Sequence, residues 1–274
     1  MTSNLATIGL ATTSTDDLVR LVESLATQAL VRLATQVGDY AIWRSPTGAE
    51  VWLHLGPAPE GSGGDAVHGH ASAADSREII GLTPFFEGRS DVLMALTAAF
   101  QRADDSVFEG AFHGWVAPDE DGAGAYPLVF DAIDYAAQQN RDLPADRRVR
   151  LCGFARELSA FPDEAAFAAA QSDGSGFAPQ SFFPVGLFAA AAATGDEATD
   201  AEAAAPSSHA LLVGVVTAVA LHTNEMTGQT FLALSVDSLE ATFDVVAAPD
   251  VVTGQVVKGG IVQAACWMFG RLLD

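Results

Sequence analysis

Apolar and polar positions alternate in short runs along most of the chain, and a period near 3.6 residues replaces the alternation in two places. Residues 5–13, LATIGLATT, predict a strand. Thr15 then offers an N-cap, with Asp16 and Asp17 in the first turn, where the helix dipole favours negative charge. Leu18, Leu21, Val22, Leu25, Ala29 and Leu33 follow at helical spacing and define one apolar face. Strands are predicted at 39–44 and 50–55, joined by the turn Ser45-Pro46-Thr47-Gly48. Residues 56–77 are rich in Gly, Pro, Ala and Ser without periodicity, which predicts a linker or long loop. The scheme then restarts. REIIGLTPFF predicts a strand. Ser90 caps a second expected helix with apolar Val92, Leu93, Leu96, Ala99 and Phe100. Strands follow at 107–117 and 125–135.

The restart carries residue identities. At a constant offset of 72, Ile8, Gly9 and Leu10 match Ile80, Gly81 and Leu82. Leu21 and Ala26 match Leu93 and Ala98, and Gly38, Trp43 and Pro46 match Gly110, Trp115 and Pro118. GDYAIWRSP at 38–46 thus returns as GAFHGWVAP at 110–118. A unit of strand, helix and further strands used twice predicts an internal duplication. Paired βαβββ units resemble the vicinal oxygen chelate superfamily of glyoxalases, bleomycin-resistance proteins and extradiol dioxygenases. The resemblance spans about residues 5–136 and rests on element order and duplication, with no specific motif. It implies a metal held by His and carboxylates from the first and last strand of each unit.

Residues 136–148 predict a polar connector and Val149 the start of a second domain. RVRLCGFARELSAF predicts a strand, and Pro162-Asp163-Glu164 opens a short helix through Gln171. Residues 172–188 carry four Phe and predict irregular chain packed on the domain, whereas the Ala-rich acidic tract 189–208 predicts a solvated loop. HALLVGVVTAVALH, TFLALSVDSL, ATFDVVAAP and KGGIVQAACWMFGRL are Val-rich strands with glycines at the bends. With the strand at 149–158 they number five and predict a small β-barrel, loosely resembling the oligonucleotide/oligosaccharide-binding fold. The whole predicts an α+β protein. A duplicated domain spans 1–136, with units 5–56 and 78–135 and the linker 57–77. A five-stranded β-barrel domain spans 149–274.

Composition narrows the function more than the pattern does. The 274 residues carry a formal charge of −22, from 35 acidic and 13 basic side chains. Residues 1–148 hold 21 acidic against 9 basic groups, and residues 149–274 hold 14 against 4. Phosphate backbones and anionic membranes are bound through clustered Lys and Arg, so neither nucleic acid nor membrane is an expected partner. Phe231, Phe243, Trp267 and Phe269 are aromatic, but only Arg150, Arg156, Lys258 and Arg271 accompany them as cations in that half. The N-terminal MTSNLATIGLATTS has no basic stretch and no long apolar run, so no secretory leader and a cytoplasmic location are expected. Cys152 and Cys266 lie in apolar runs, which predicts buried reduced thiols.

Candidate chemistry is sparse. Glu50 and His54 lie four apart on one strand face and, with Asp131, form the one imaginable metal set. Ile8 to Thr12 supply no ligand, and Glu78, Glu87 and Asp134 are poorly placed. His113 in FHGWV, with Trp43 and Trp115, could line a pocket. His68 and His70 lie in the linker without further ligands, as does GSGG at 61–64. No GxSxG or GxxxxGK[ST] motif occurs. The expectation is a non-catalytic binding or interaction protein, taking a protein partner or a small ligand and no cofactor. The alternative is a metal-dependent enzyme of the oxygen-chelate type, which would need a divalent metal.

Overall fold

The computed structural model describes residues 3–57, 77–120, 123–171, 176–187 and 206–273. The expected linker, with His68, His70 and the GSGG stretch, lies largely outside them, as does nearly all of the acidic Ala-rich tract. The protein is mostly β, with few and short helices. A 3₁₀ turn, Ala6–Ile8, stands where the first strand was expected. Gly9 ends it at φ +75°, a left-handed conformation that favours glycine. Helix α1 (Thr15–Gln28) forms as its spacing predicts, but Ser14 is the cap: its Oγ accepts from Asp17 N at 3.1 Å. Strands β1 (Val31–Ala34), β2 (Asp39–Arg44), β3 (Ala49–Leu55) and β4 (Ile79–Phe86) pair in that order as an antiparallel four-stranded sheet. No described helix is long and apolar enough to cross a membrane.

The second expected helix is a strand, β5 (Val92–Phe100). VLMALTAAF has no polar face, so its apolar positions suit a buried strand as well as a helix. Pairing with two neighbours decides for the strand. The βαβββ unit is therefore not repeated. β5 joins β6 (Ala111–Val116), β7 (Tyr126–Ala132), β8 (Ala145–Phe161), β9 (Ser181–Phe183), β10 (His209–Thr223), β11 (Thr230–Asp237), β12 (Thr242–Ala247), β13 (Val252–Thr253) and β14 (Ile261–Leu273) in one mixed ten-stranded sheet. Helices α2 (Tyr135–Gln138) and α3 (Glu164–Ala170) are short. The expected boundary near Val149 falls inside β8, whose residues 145–149 pair with β5. The expected self-contained five-stranded barrel is likewise part of this larger sheet.

A duplication exists all the same, at another place. β5–β6–β7 is an antiparallel meander; β7 runs parallel to β14, and β5 pairs antiparallel with β8. β10–β11–β12 is a second such meander; β12 runs parallel to β8, and β10 pairs antiparallel with β14. The long strands β8 and β14 pair with each other and serve both circuits. Val92 opposite Val149 corresponds to Leu212 opposite Ala264, and Asp131 beside Phe269 to Val246 beside Phe154. Gly153 opposite Met268 marks the centre. Each meander has one bulge, at Thr97 and at Thr217, and each Thr Oγ1 donates to a carbonyl of the next strand, His113 at 3.3 Å and Ser235 at 3.0 Å. Phe154, Arg156 and Leu158 recur as Phe269, Arg271 and Leu273.

Two large cores lie around this sheet. One is enclosed by the meanders and includes Met94, Phe112, Phe130, Val236 and Phe243. The other joins the small sheet to the large one: Ile8, Leu10, Leu25, Tyr40, Trp43 and Trp52 pack in one cluster with Cys152, Phe154, Val246 and Phe269. Glu87 links the two sheets as well, ion-paired with Arg150 and, at 2.8 Å, with Arg271.

Candidate functional site

The three expected metal ligands serve three different purposes. Glu50 is buried and paired: Arg44 Nε lies 2.7 Å from Oε1, and Trp52 Nε1 donates to Oε2 at 2.8 Å. Burial raises its pKa against these two partners. His54 stacks on Phe108 and meets Tyr40 edge-on. Its Nε2 lies 3.2 Å from Thr83 Oγ1 and its Nδ1 has no partner. Burial lowers its pKa to about 4, so the ring is neutral at pH 7. Both side chains are sealed in the small-sheet core. Asp131 is on β7 in the large sheet. Among the described residues no group of three His, Cys, Asp or Glu converges as a metal would require.

The expected pocket residues do not converge either. Trp43 is buried in the core that joins the sheets. His113 and Trp115 share one face of β6, where Thr97 Oγ1 contacts His113 Nδ1 at 2.7 Å and partial burial lowers the histidine pKa. Cys152 and Cys266 are buried and free, in cores on opposite faces of the sheet. Burial raises both thiols, Cys266 to about 12. Native protein at pH 8 is accordingly expected to resist iodoacetamide, with both cysteines modified after unfolding in guanidinium. Mass spectrometry of the intact chain reads this directly; rapid native labelling of either thiol contradicts the packing.

Asp131 borders a cleft of about 380 Å³ where the small sheet leaves the large one uncovered. Leu82, Thr83 and Pro84 of β4 and Asn4 form one wall, and Trp267 and Phe269 of β14 belong to the other. The turn between β5 and β6 brings Arg102, Asp104, Asp105 and Glu109 to the rim. Asp131 is held by Arg102 Nη1 at 2.9 Å, by Ser208 Oγ and by Trp267 Nε1. Arg102 also donates to Pro206 O at 3.1 Å and Ser208 Oγ at 3.0 Å. His209 rests against Trp267, with ring centroids 5.1 Å apart, and its Nδ1 lies 3.1 Å from Ser207 Oγ. Arg156 lies over the Trp267 ring at 5.3 Å.

Two hydroxyl–imidazole contacts touch this cleft, Ser207 with His209 and Thr83 with the buried His54. Asp131 makes no hydrogen bond to His209; its hydrogen bonds come from Arg102, Ser208 and Trp267. Among the described residues no carboxylate hydrogen-bonds to the His209 ring to orient it. One group at the cleft has unused capacity, the exposed carboxylate of Asp104; Asn4 Oδ1 also lacks a donor, but it is shut off from solvent. Of the cleft's polar and aromatic residues, the sequence points to Asp131 and to the pair Trp267 and Phe269. Arg102 sits in a turn and Asn4 near the N-terminus, and no spacing rule connects them. Comparison with protein-family models, with curated proteins and with solved structures finds no match.

Proposed function

We propose that the protein is a non-catalytic binding protein whose ligand enters the cleft between β4 and β14. The observation that carries this reading is the cleft itself: a concave site with a half-buried tryptophan and a charged rim. Such a combination of apolar wall and few polar groups is the usual form of a ligand site. The internal commitment of Asp131 and Arg102 also supports binding, since both act as walls rather than as groups poised for proton transfer. The circuit β8–β12–β11–β10–β14, read as a small closed barrel, supplies the strand β14 that forms this wall.

A thermal-denaturation screen tests the reading on the full chain. It uses amines, amino acids, short peptides, sugars, nucleotides and divalent metals. A cleft ligand at a hundred times its Kd adds about 2.7 kcal/mol, several degrees in Tm for a chain of this size. The shift is expected to disappear in Trp267→Ala. A metal-induced shift that survives in Trp267→Ala and vanishes in Glu50→Gln would overturn the proposal in favour of a metal enzyme.

A further inference from the structure

The duplicated pairing shows what sits on the other half of the sheet at the place that corresponds to the cleft. Asp131, Trp267 and Phe269 correspond to Val246, Cys152 and Phe154. The turn between β5 and β6 corresponds to the turn between β10 and β11, residues 224–229. On that second half the place is filled by the chain's own N-terminal segment. The 3₁₀ turn packs on β11 and β12, and Ile8 and Leu10 share a core with Phe231, Val246, Cys152 and Phe154. The segment's backbone is held by polar side chains of the 224–229 turn. Asn224 Nδ2 donates to Ile8 O at 2.9 Å, and Thr227 Oγ1 donates to Gly9 O. Gln229 bonds Ala11 both ways, accepting from its N at 2.9 Å and donating to its O at 3.0 Å. One half of the molecule is thus a worked example of a short peptide held against this scaffold.

The first half has the same frame with other side chains. Trp267 replaces Cys152, and Asp131 replaces Val246. The turn above carries carboxylates and Arg102 in place of Asn224, Thr227 and Gln229. No described segment fills it. Leu82, Pro84, Trp267 and Phe269 offer apolar contact. Arg102 is already bound to Asp131, Ser208 and Pro206, Arg156 lies over Trp267, and Glu109 Oε2 accepts from Ser106 N at 2.9 Å, so the carboxylate most open to a ligand is that of the exposed Asp104, with Glu109 beside it on the rim. We propose that this cleft docks a short basic segment of a partner protein, held as residues 8–11 are held on the opposite half. The inference rests on the binding reading above and adds the ligand class. The excess of acidic residues in this chain makes a segment from a second copy a poor fit and a basic partner a good one.

The test uses fluorescence anisotropy with the full chain and three probes. The first is a fluorescein-labelled nonapeptide copying residues 4–12 with both alanines replaced by arginine. The second has glutamate at those places. The third is N-acetylarginine amide, used as competitor. Saturable binding of the arginine peptide is expected, weakened at least tenfold in Asp104→Asn/Glu109→Gln and in Asp104→Arg. Raising NaCl from 50 to 200 mM should also weaken it several-fold. These positions are on the rim, so unchanged thermal unfolding confirms that the variants fold. The proposal is overturned if both peptides bind alike, if neither binds, or if the variants bind as the parent does. Competition by N-acetylarginine amide at the peptide's own concentration range would overturn the peptide inference while leaving a small-cation site in the cleft. A cleft that binds only uncharged small molecules in the thermal screen would do the same.

Discussion

Phe154→Ala is expected to destabilise the protein by about 3–5 kcal/mol, the range for removing a fully buried aromatic ring. Phe154 is fully buried on β8, edge-on to Phe269 at 4.9 Å and beside Val246 of β12. It belongs to the core that fastens the small sheet to the large one, so the cavity would open where the two sheets meet. Phe269 is its counterpart on β14, but it also borders the cleft. Solvent can enter there when the ring is removed, which limits the cavity cost. Phe269→Ala is therefore expected to cost less, by about 1 kcal/mol or more. Urea unfolding of both variants reads the difference. Equal losses would mean that the two halves are packed alike and that the cleft is closed in solution.

The second large effect is a dependence on pH to which two buried groups, His54 and Asp134, contribute with opposite sign. Burial lowers the His54 pKa from 6.5 to about 4. Between those values the unfolded chain takes up a proton that the folded chain refuses, so stability is lost as pH falls from 6.5 towards 4, by up to about 3 kcal/mol. Burial raises the Asp134 pKa from 3.8 to about 6, against a hydrogen bond from Gln138 Nε2 at 2.9 Å. Here the folded chain takes up the proton first. Stability is gained as pH falls from 6 to 3.8, again by up to about 3 kcal/mol. In the parent protein the two nearly offset one another.

Each variant should uncover the other group. Asp134→Asn is expected to be more stable than the parent at pH 8, with the advantage gone by pH 4, leaving a protein that loses stability steeply in acid. His54→Phe should gain about 2–3 kcal/mol on the parent between pH 7.5 and 4.5, whatever its offset at neutral pH. Denaturant unfolding at several pH values separates these slopes from packing effects. Parallel stability curves for the parent and both variants would show that neither group carries the shift.

Several elements are legible in the residues. Helix α1 follows from an apolar face after a Ser-Thr-Asp-Asp start, and the hairpin β2–β3 follows from Ser45-Pro46-Thr47-Gly48 between alternating strands. Residues 92–100 were not legible, because an all-apolar stretch fits either period until its neighbours are known. The duplication illustrates the limit well. A constant offset of 72 matches a 3₁₀ turn with strand β4, helix α1 with strand β5, and only then one strand, β2, with another, β6. The repeated pairing needs offsets between 115 and 122, because the turns of the two meanders differ in length. The signal that could have found it is short: GFAREL at 153–158 against MFGRLL at 268–273.

The candidate site divides in the same way. Composition marked the chain as acidic, and the sequence pointed to Asp131 and to the aromatic residues of β14. It also placed Glu50 and His54 on one strand face, as the structure does, but said nothing of Arg44, Trp52 and Phe108, which occupy them. Alternation and capping are local, set by the side chains within one turn or one strand, and the sequence alone determined them here: α1, the hairpins, the buried thiols and the excess of negative charge. Which strands pair across more than a hundred residues is decided by packing and hydrogen bonding that no local period records. Only the tertiary structure could therefore bring β8 and β14 together, seat residues 8–11 on one half, and leave the matching place open on the other.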